Sequence, residues 1–223
     1  MGRVTTTSGN PGGRRRRGTG PARRHGSDAP APVSERREHL VRLAADLFAE
    51  KGFQATTVRN IAQEAGILSG SLYHHFDSKE SIVDEILTGY LDEVMPAYRK
   101  AVARRGNPRA TVEGLVRAAF ASLEPHRAAV TVLQNDWSYL QGMDRFAYLA
   151  EAEREAERMW VGAIGAGQDE GLFRDDIDPK LTYRMIRDTV RLAVRWAEPG
   201  GRLDTGALAD HYVKVMFDGV NVH

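Results

Sequence analysis

AGILSGSLYHHF, residues Ala65 to Phe76, sets a glycine break before a run of small residues, then places a tyrosine and two adjacent histidines between apolar positions. It could be a metal site, a catalytic pocket, or a surface shaped to fit a partner. Leu72 and Phe76 lie four residues apart, so on a helix they share one face and turn inward. The same repeat collects Ser69, Gly70, Tyr73 and His74 on the outward face. Neighbours such as His74 and His75 diverge by about 100° on a helix, whereas helix-borne metal ligands converge at i, i+3 or i, i+4. No metal site is therefore expected. Ser71 sits beside Leu72 within a short helix and not on a strand-to-helix elbow, so no catalytic residues are expected either. What is left is a small exposed helix face.

Working outward, Leu40, Ala44, Leu47 and Phe48 repeat at helical spacing, and Gly52 stops a first helix that runs roughly from Ser34 to Lys51. In TTVRNIAQEAG, Thr57 can cap a second helix whose Val58, Ile61, Ala62 and Ala65 face inward, leaving Arg59, Asn60 and Gln63 pointing elsewhere. Two short helices about the glycine turn at Gly66 read as a helix-turn-helix. Such pairs also occur as ordinary packing in all-helical proteins, so the flanking residues matter. Ser78 and Lys79 bring a helix cap, free backbone amides and a cation to one place, a pattern that suits a phosphate.

The whole chain of 223 residues has no cysteine, which removes disulfides and thiolate chemistry and fits a reducing cytoplasm. No apolar run is long enough to cross a membrane, so no membrane partner is expected. The net charge of +1 hides an asymmetry: residues 1–33 hold seven arginines against one acid, Asp28. This Gly, Pro, Ser and Arg-rich stretch reads as a disordered basic tail without the apolar core of a secretion signal. It is either an uninvolved extension or a non-specific phosphate-binding arm.

Past Lys79, helical periodicity continues in segments near 79–104, interrupted at Pro96, then 109–124, 126–140, 144–169, 180–197 and 205–219, with no strand signal. The fold class is all-α. GAIGAGQDEG at 162–171 follows no strand and is no dinucleotide fingerprint; its small residues suit close packing. DDID at 175–178 lacks the spacing of a calcium loop. On the 180–197 segment Arg184, Arg187, Asp188, Arg191 and Arg195 share one face. Leu181, Met185, Leu192 and Trp196 form a second face, and Tyr183, Ile186, Val190 and Val194 a third. A helix apolar on two sides packs against its own core and against another chain. The arginine row is either a solvated face or an anion site.

The stretch LAADLFAEKGFQATTVRNIAQEAGILSGSLYHHFDSKESI resembles the DNA-binding region of the TetR family of bacterial regulators, through Phe48, Gly52, Thr57, Ile61, Ala62, Ala65, Gly66, Gly70, Leu72, Tyr73, His74, Phe76 and Lys79. The resemblance implies an N-terminal helix-turn-helix domain at 34–78 and a C-terminal ligand-binding and dimerisation domain at 79–223. It implies a homodimer joined through the last two long helices, and a repressor released from double-stranded operator DNA by a small-molecule effector. Thr57, Tyr73 and Lys79 would touch the DNA backbone, Ser69, Gly70 and His74 would lie near base edges, and Arg59 and Ser71 are counted with them. Leu68 and Ser69 replace the serine cap and lysine common in the family, so the cap of the recognition helix is expected to be shifted or missing.

GILSGSLYHHF, RMW, DEGLFR, IRDT and VRW followed by PGG are similar to an actinobacterial branch of that family which represses cholesterol-ring catabolic genes and answers to a coenzyme A thioester of an indanedione-propionate metabolite. On that likeness Arg187 is the first ligand arginine, with Trp160, Arg191 and Trp196 beside it. Arg191 stands where that branch carries an aromatic residue. No cofactor is expected. The alternatives are a TetR-type regulator answering to a fatty acyl-CoA or drug-like compound, a helical enzyme acting on acyl thioesters, and an architectural DNA-binding protein without a sensor.

Overall fold

The computed structural model describes residues 33–104, 106–198 and 200–220; the tail at 1–33, apart from Val33, lies outside the described residues. Among the described residues nine α-helices follow in order: α1 (Val33–Lys51), α2 (Val58–Glu64), α3 (Ser69–Leu72), α4 (Lys79–Ala103), α5 (Pro108–Ala121), α6 (Arg127–Leu140), α7 (Ala147–Asp169), α8 (Pro179–Ala193) and α9 (Thr205–Asp218). A 3-10 turn, Asp144–Phe146, leads into α7, and the described residues contain no strand.

The helix starts follow from side-chain capping. Thr57 and Asn60 form a reciprocal capping box at α2, and Ser78 and Ser81 form one at α4. Asn107 and Asp178 cap α5 and α8 with proline directly behind, where its missing N–H costs nothing. Asp204 caps α9. Asn60 thus serves its own helix start, a role the apolar pattern did not disclose. Gly66 adopts φ 65°, the left-handed turn between α2 and α3 that a side chain would strain.

Leu40, Ala44, Leu47, Phe48, Ile61, Ala62, Leu72 and Phe76 are buried as their spacing requires. Arg37 ties this head together: its guanidinium lies 4.2 Å from the Phe76 ring centroid, pairs with Glu85 of α4 at 2.7 Å, and donates to the His75 carbonyl. The α4 helix is continuous, contrary to the expected interruption at Pro96. Pro96 and Asp92 are both exposed, so the carbonyl deprived of its N–H partner is solvated and the helix need not break. The sensor half packs α4 against α5 and α7, α5 against α9, and α7 against α8, while α6 packs back onto α1.

Close approach explains one small residue of the glycine-rich segment. A Cβ at Gly167 would meet the Phe173 ring at 2.1 Å. Gly167→Ala is expected to destabilise the protein by about 1–3 kcal/mol through overpacking. The check is the urea unfolding midpoint at constant slope; an unshifted midpoint would mean that Phe173 swings aside.

Candidate DNA-contacting face and effector cavity

Burial of Leu72 and Phe76 fixes the orientation of the turn between them. Gly70, Tyr73 and His74 are exposed, Tyr73 by 55%, while Ser69 and Ser71 are half-buried. Thr57 and Arg59 are exposed at the start of α2. The recognition helix is shorter than its sequence pattern suggests, a single turn followed by hydrogen-bonded turns through Phe76. Leu68 occupies its N-cap without a side-chain bond and stands 80% exposed, so the serine-type cap is missing. The two histidines part as the geometry demands: His74 faces solvent and His75 packs its ring 6.4 Å from Phe76.

Lys79 is turned inward. Its ammonium donates to the Phe53 carbonyl at 2.8 Å and sits 4.2 Å over the Phe53 ring. Burial lowers its pKa against the opposing pull of Glu80 and Asp136. From the other side, the buried Asp136 of α6 accepts from the Phe53 backbone N–H at 3.4 Å and from Gln54 Nε2 at 3.2 Å. The loop between α1 and α2 is therefore held at once by the first residue of α4 and by a carboxylate of α6. Asp136 escaped the sequence reading because nothing local marks its partner 83 residues earlier.

Behind this junction, α4 to α8 enclose a largely apolar cavity of about 50 Å³, lined by Tyr90, Val94, Tyr98, Leu133, Trp137 and Trp160 among others. Trp160 is only 2% exposed and meets Tyr98 edge-on at 5.9 Å and Tyr183 at 6.0 Å. A surface cleft of about 610 Å³ lies beside it, and the two spaces share Leu133, Trp137, Glu153, Arg187 and Arg191 as walls.

The arginine row of α8 splits accordingly. Arg184 and Arg195 are exposed in the cleft, whereas Arg187 and Arg191 turn inward to one carboxylate of α7, Glu153, at 2.6 and 2.8 Å. Tyr183 donates its hydroxyl to the same carboxylate at 3.0 Å. Burial would raise the Glu153 pKa, but Arg191 and Arg187 outweigh it and hold the carboxyl below its usual range. Arg187 also pairs with Asp188 at 2.8 Å, so two cations at this wall meet two carboxylates, and Glu153 is the one they share. Trp196 lines neither space; it lies in the turn after α8, which ends four residues before the expected limit of 197. Glu153 could have been found: Leu149, Glu153, Ala156 and Trp160 form one helical stripe in which a carboxylate interrupts apolar positions.

Among the described residues no group of three His, Cys, Asp or Glu could hold a metal ion, and no helix is long and apolar enough to cross a membrane. The face at Tyr73 gives a direct test. Tyr73→Phe is expected to weaken operator binding about fivefold, on the order of 1 kcal/mol for one hydroxyl–phosphate hydrogen bond. Unchanged affinity in a folded variant would remove Tyr73 from the contacts.

Residues 40–86 match the model of the bacterial regulatory proteins of the tetR family, and residues 105–220 match the tetracyclin repressor-like C-terminal domain. The chain is 46% identical to the HTH-type transcriptional repressor KstR2 of Rhodococcus jostii over 87% of its own length and 95% of that protein. The solved structure of the ketosteroid transcriptional regulator KstR2 of Mycobacterium tuberculosis superposes with TM-score 0.79 at 44% identity, over 86% of this chain and 98% of that one. AibR, solved in complex with isovaleryl coenzyme A and operator DNA, shares the fold with TM-score 0.70 at 21% identity, over 82% of this chain and 98% of AibR. With a helix-turn-helix head, an all-helical sensor half and both domain models matched, the chain belongs to the TetR family: it is a DNA-binding transcriptional repressor, not an enzyme, and is similar to the KstR2 repressors.

Proposed function

We infer that the chain acts as a homodimeric repressor of steroid-ring degradation genes and leaves its operator when a coenzyme A thioester binds between its sensor helices. The observation that carries this is the pair Arg187 and Arg191 at the mouth of an aromatic, apolar cavity, with Arg184 and Arg195 in the adjoining cleft. Guanidinium groups suit phosphates and the cavity suits an acyl group. The likeness to regulators named for ketosteroids supports the steroid, and a fold shared with a coenzyme A-binding regulator is compatible with the thioester.

The DNA would be met by the head, residues 34–78, with Thr57, Tyr73 and Lys79 on phosphates. Ser69, Gly70 and His74 would lie near bases, and Arg59 and Ser71 would stand at their flanks. Lys79 would have to leave the Phe53 carbonyl to do so. Dimerisation falls to residues 79–223, where Leu181, Met185 and Leu192 on one side of α8, and Trp196 in the turn after it, are apolar and exposed. A bacterial operator places the work in the cytoplasm.

The test is release of the protein from its own upstream DNA by a panel of steroid-ring acyl-CoA thioesters, straight-chain fatty acyl-CoA thioesters, and free coenzyme A. Release by a steroid-ring thioester at concentrations where free coenzyme A does nothing is expected. Release only by uncharged hydrophobic compounds would refute the thioester.

A further inference from the structure

Arg187 and Arg191 are already satisfied. Their shared partner, Glu153, stands in the wall between the inner cavity and the outer cleft and bonds at once to both guanidinium groups and to the Tyr183 hydroxyl. Any ligand with its apolar end inside and its charged end outside must pass this point. The inner cavity, about 50 Å³, has room for a few waters, whereas ligand pockets run to about 300–1,000 Å³. Occupation therefore requires the wall to open.

We propose that Glu153 is a displaceable counter-ion that closes the cavity, so that the effector enters by putting its own anionic group in place of the Glu153 carboxylate on Arg187 and Arg191. This rests on the cavity being the effector site and adds what the effector must carry: an anionic group, a carboxylate or a phosphate, able to reach both guanidinium groups while its apolar body fills the cavity.

The exchange has a physical direction. Separating Glu153 without replacement would leave Arg191 with no carboxylate and Arg187 with Asp188 alone, both half-buried against aromatic walls, and an unpaired charge in such a place is costly. An uncharged ligand cannot compensate for that. An anionic ligand restores the pairing as it enters. The surroundings favour the incoming anion, since of the cleft acids Glu157 is already paired with Lys180 at 2.6 Å and Asp188 with Arg187 at 2.8 Å. Among the described residues no acid is paired with Arg184 or Arg195, which leaves both facing an arriving anion. Glu153 thus acts as a filter: hydrophobic compounds of the right size but without charge are held out by an ion pair they cannot satisfy.

The matched probes are octanoate and octanol, with octanoyl-CoA as the thioester. The full-length protein carries three tryptophans, of which Trp137 and Trp160 line the cavity and Trp196 does not. In a Trp196→Phe background, fluorescence therefore reports the cavity. Glu153→Gln keeps the shape and removes the charge. It is expected to tighten octanoate about tenfold, because the arginines lose their competing carboxylate, and to tighten octanol as well, but by less than about threefold, because octanol gains only the easier opening. Glu153→Asp, too short to bridge both arginines, should fall between wild type and Gln and gives a second reading if Gln folds poorly. A residue that merely braces α7 against α8 would move both probes alike.

The proposal is overturned if either variant leaves octanoate unchanged or weaker, or tightens octanol by the same factor. If octanoate tightens as expected while octanoyl-CoA neither binds nor releases DNA, the counter-ion stands and the coenzyme A reading falls.

Discussion

Glutamate in place of Trp196 should leave the protein monomeric and unable to hold its operator specifically. The single-turn recognition helix offers few base contacts, so specificity depends on two heads engaging two half-sites. Trp196 is 48% exposed and Met185, on the same side of α8, 64%. These belong to an apolar strip left uncovered by the other described residues. A carboxylate placed there would be buried without a partner in the dimer, a cost of several kcal/mol that a moderate interface cannot absorb. Specific sites bind about 10³–10⁷ times more tightly than random DNA, and most of that ratio should vanish with the second head. Light scattering at micromolar concentration and operator titration read the two effects separately. A dimer that still binds its operator after this change would place the interface elsewhere.

Arg187→Ala should hardly touch operator affinity yet raise the thioester concentration needed for release about tenfold to a hundredfold, the usual result of losing about 1.5–3 kcal/mol from a charge-assisted hydrogen bond. The residue belongs to the sensor wall and contacts nothing in the head. Its removal leaves Glu153 with Arg191, so the fold keeps one of the two ion pairs. Release can follow only if the thioester binds the DNA-incompetent conformation more tightly, and Arg187 would supply part of that difference. Arg191→Ala should act in the same direction with a smaller effect. A normal response of Arg187→Ala to every thioester that releases the wild type would remove the arginine row from effector binding.

Local chemistry made much of the molecule legible. Caps, helix stops and the inward stripes of α1 to α3 depend on neighbours within four residues, and Thr57, Ser78, Leu72 and Phe76 all sit where the pattern required. Within α8 the buried face of Tyr183, Ile186 and Val190 and the exposed apolar face of Leu181, Met185 and Leu192 separated as read, because one helix repeat determines them. The pairings across the chain were not legible. Nothing adjacent to Glu153 says that Arg187 and Arg191 will meet it, and nothing near Asp136 points to Phe53 and Gln54. Lys79 was legible as a cation at a helix start but not as one folded back onto a carbonyl. The sequence pattern also extended α8 to Ala197, whereas the helix ends at Ala193 and Trp196 lies in a turn that an apolar repeat cannot distinguish from helix.

The double hold on the loop at Phe53 and Gln54 makes the head a body mounted on two struts. One strut is α4, through Lys79, and the other is α6, through Asp136 and its packing on α1. A body so mounted cannot swing about a single joint at Ser78; its angle is set by the offset between the struts. Packed helices lie about 8–10 Å apart, so a lengthwise slip of 1 Å between them turns the head by about 0.1 radian, or roughly 6°. Both struts also wall the cavity, α4 with Tyr90 and Val94 and α6 with Leu133 and Trp137. Weakening the second strut with Asp136→Ala should therefore leave DNA binding in place and blunt its response to effector, because a head held mainly by one strut keeps its angle when the other slides.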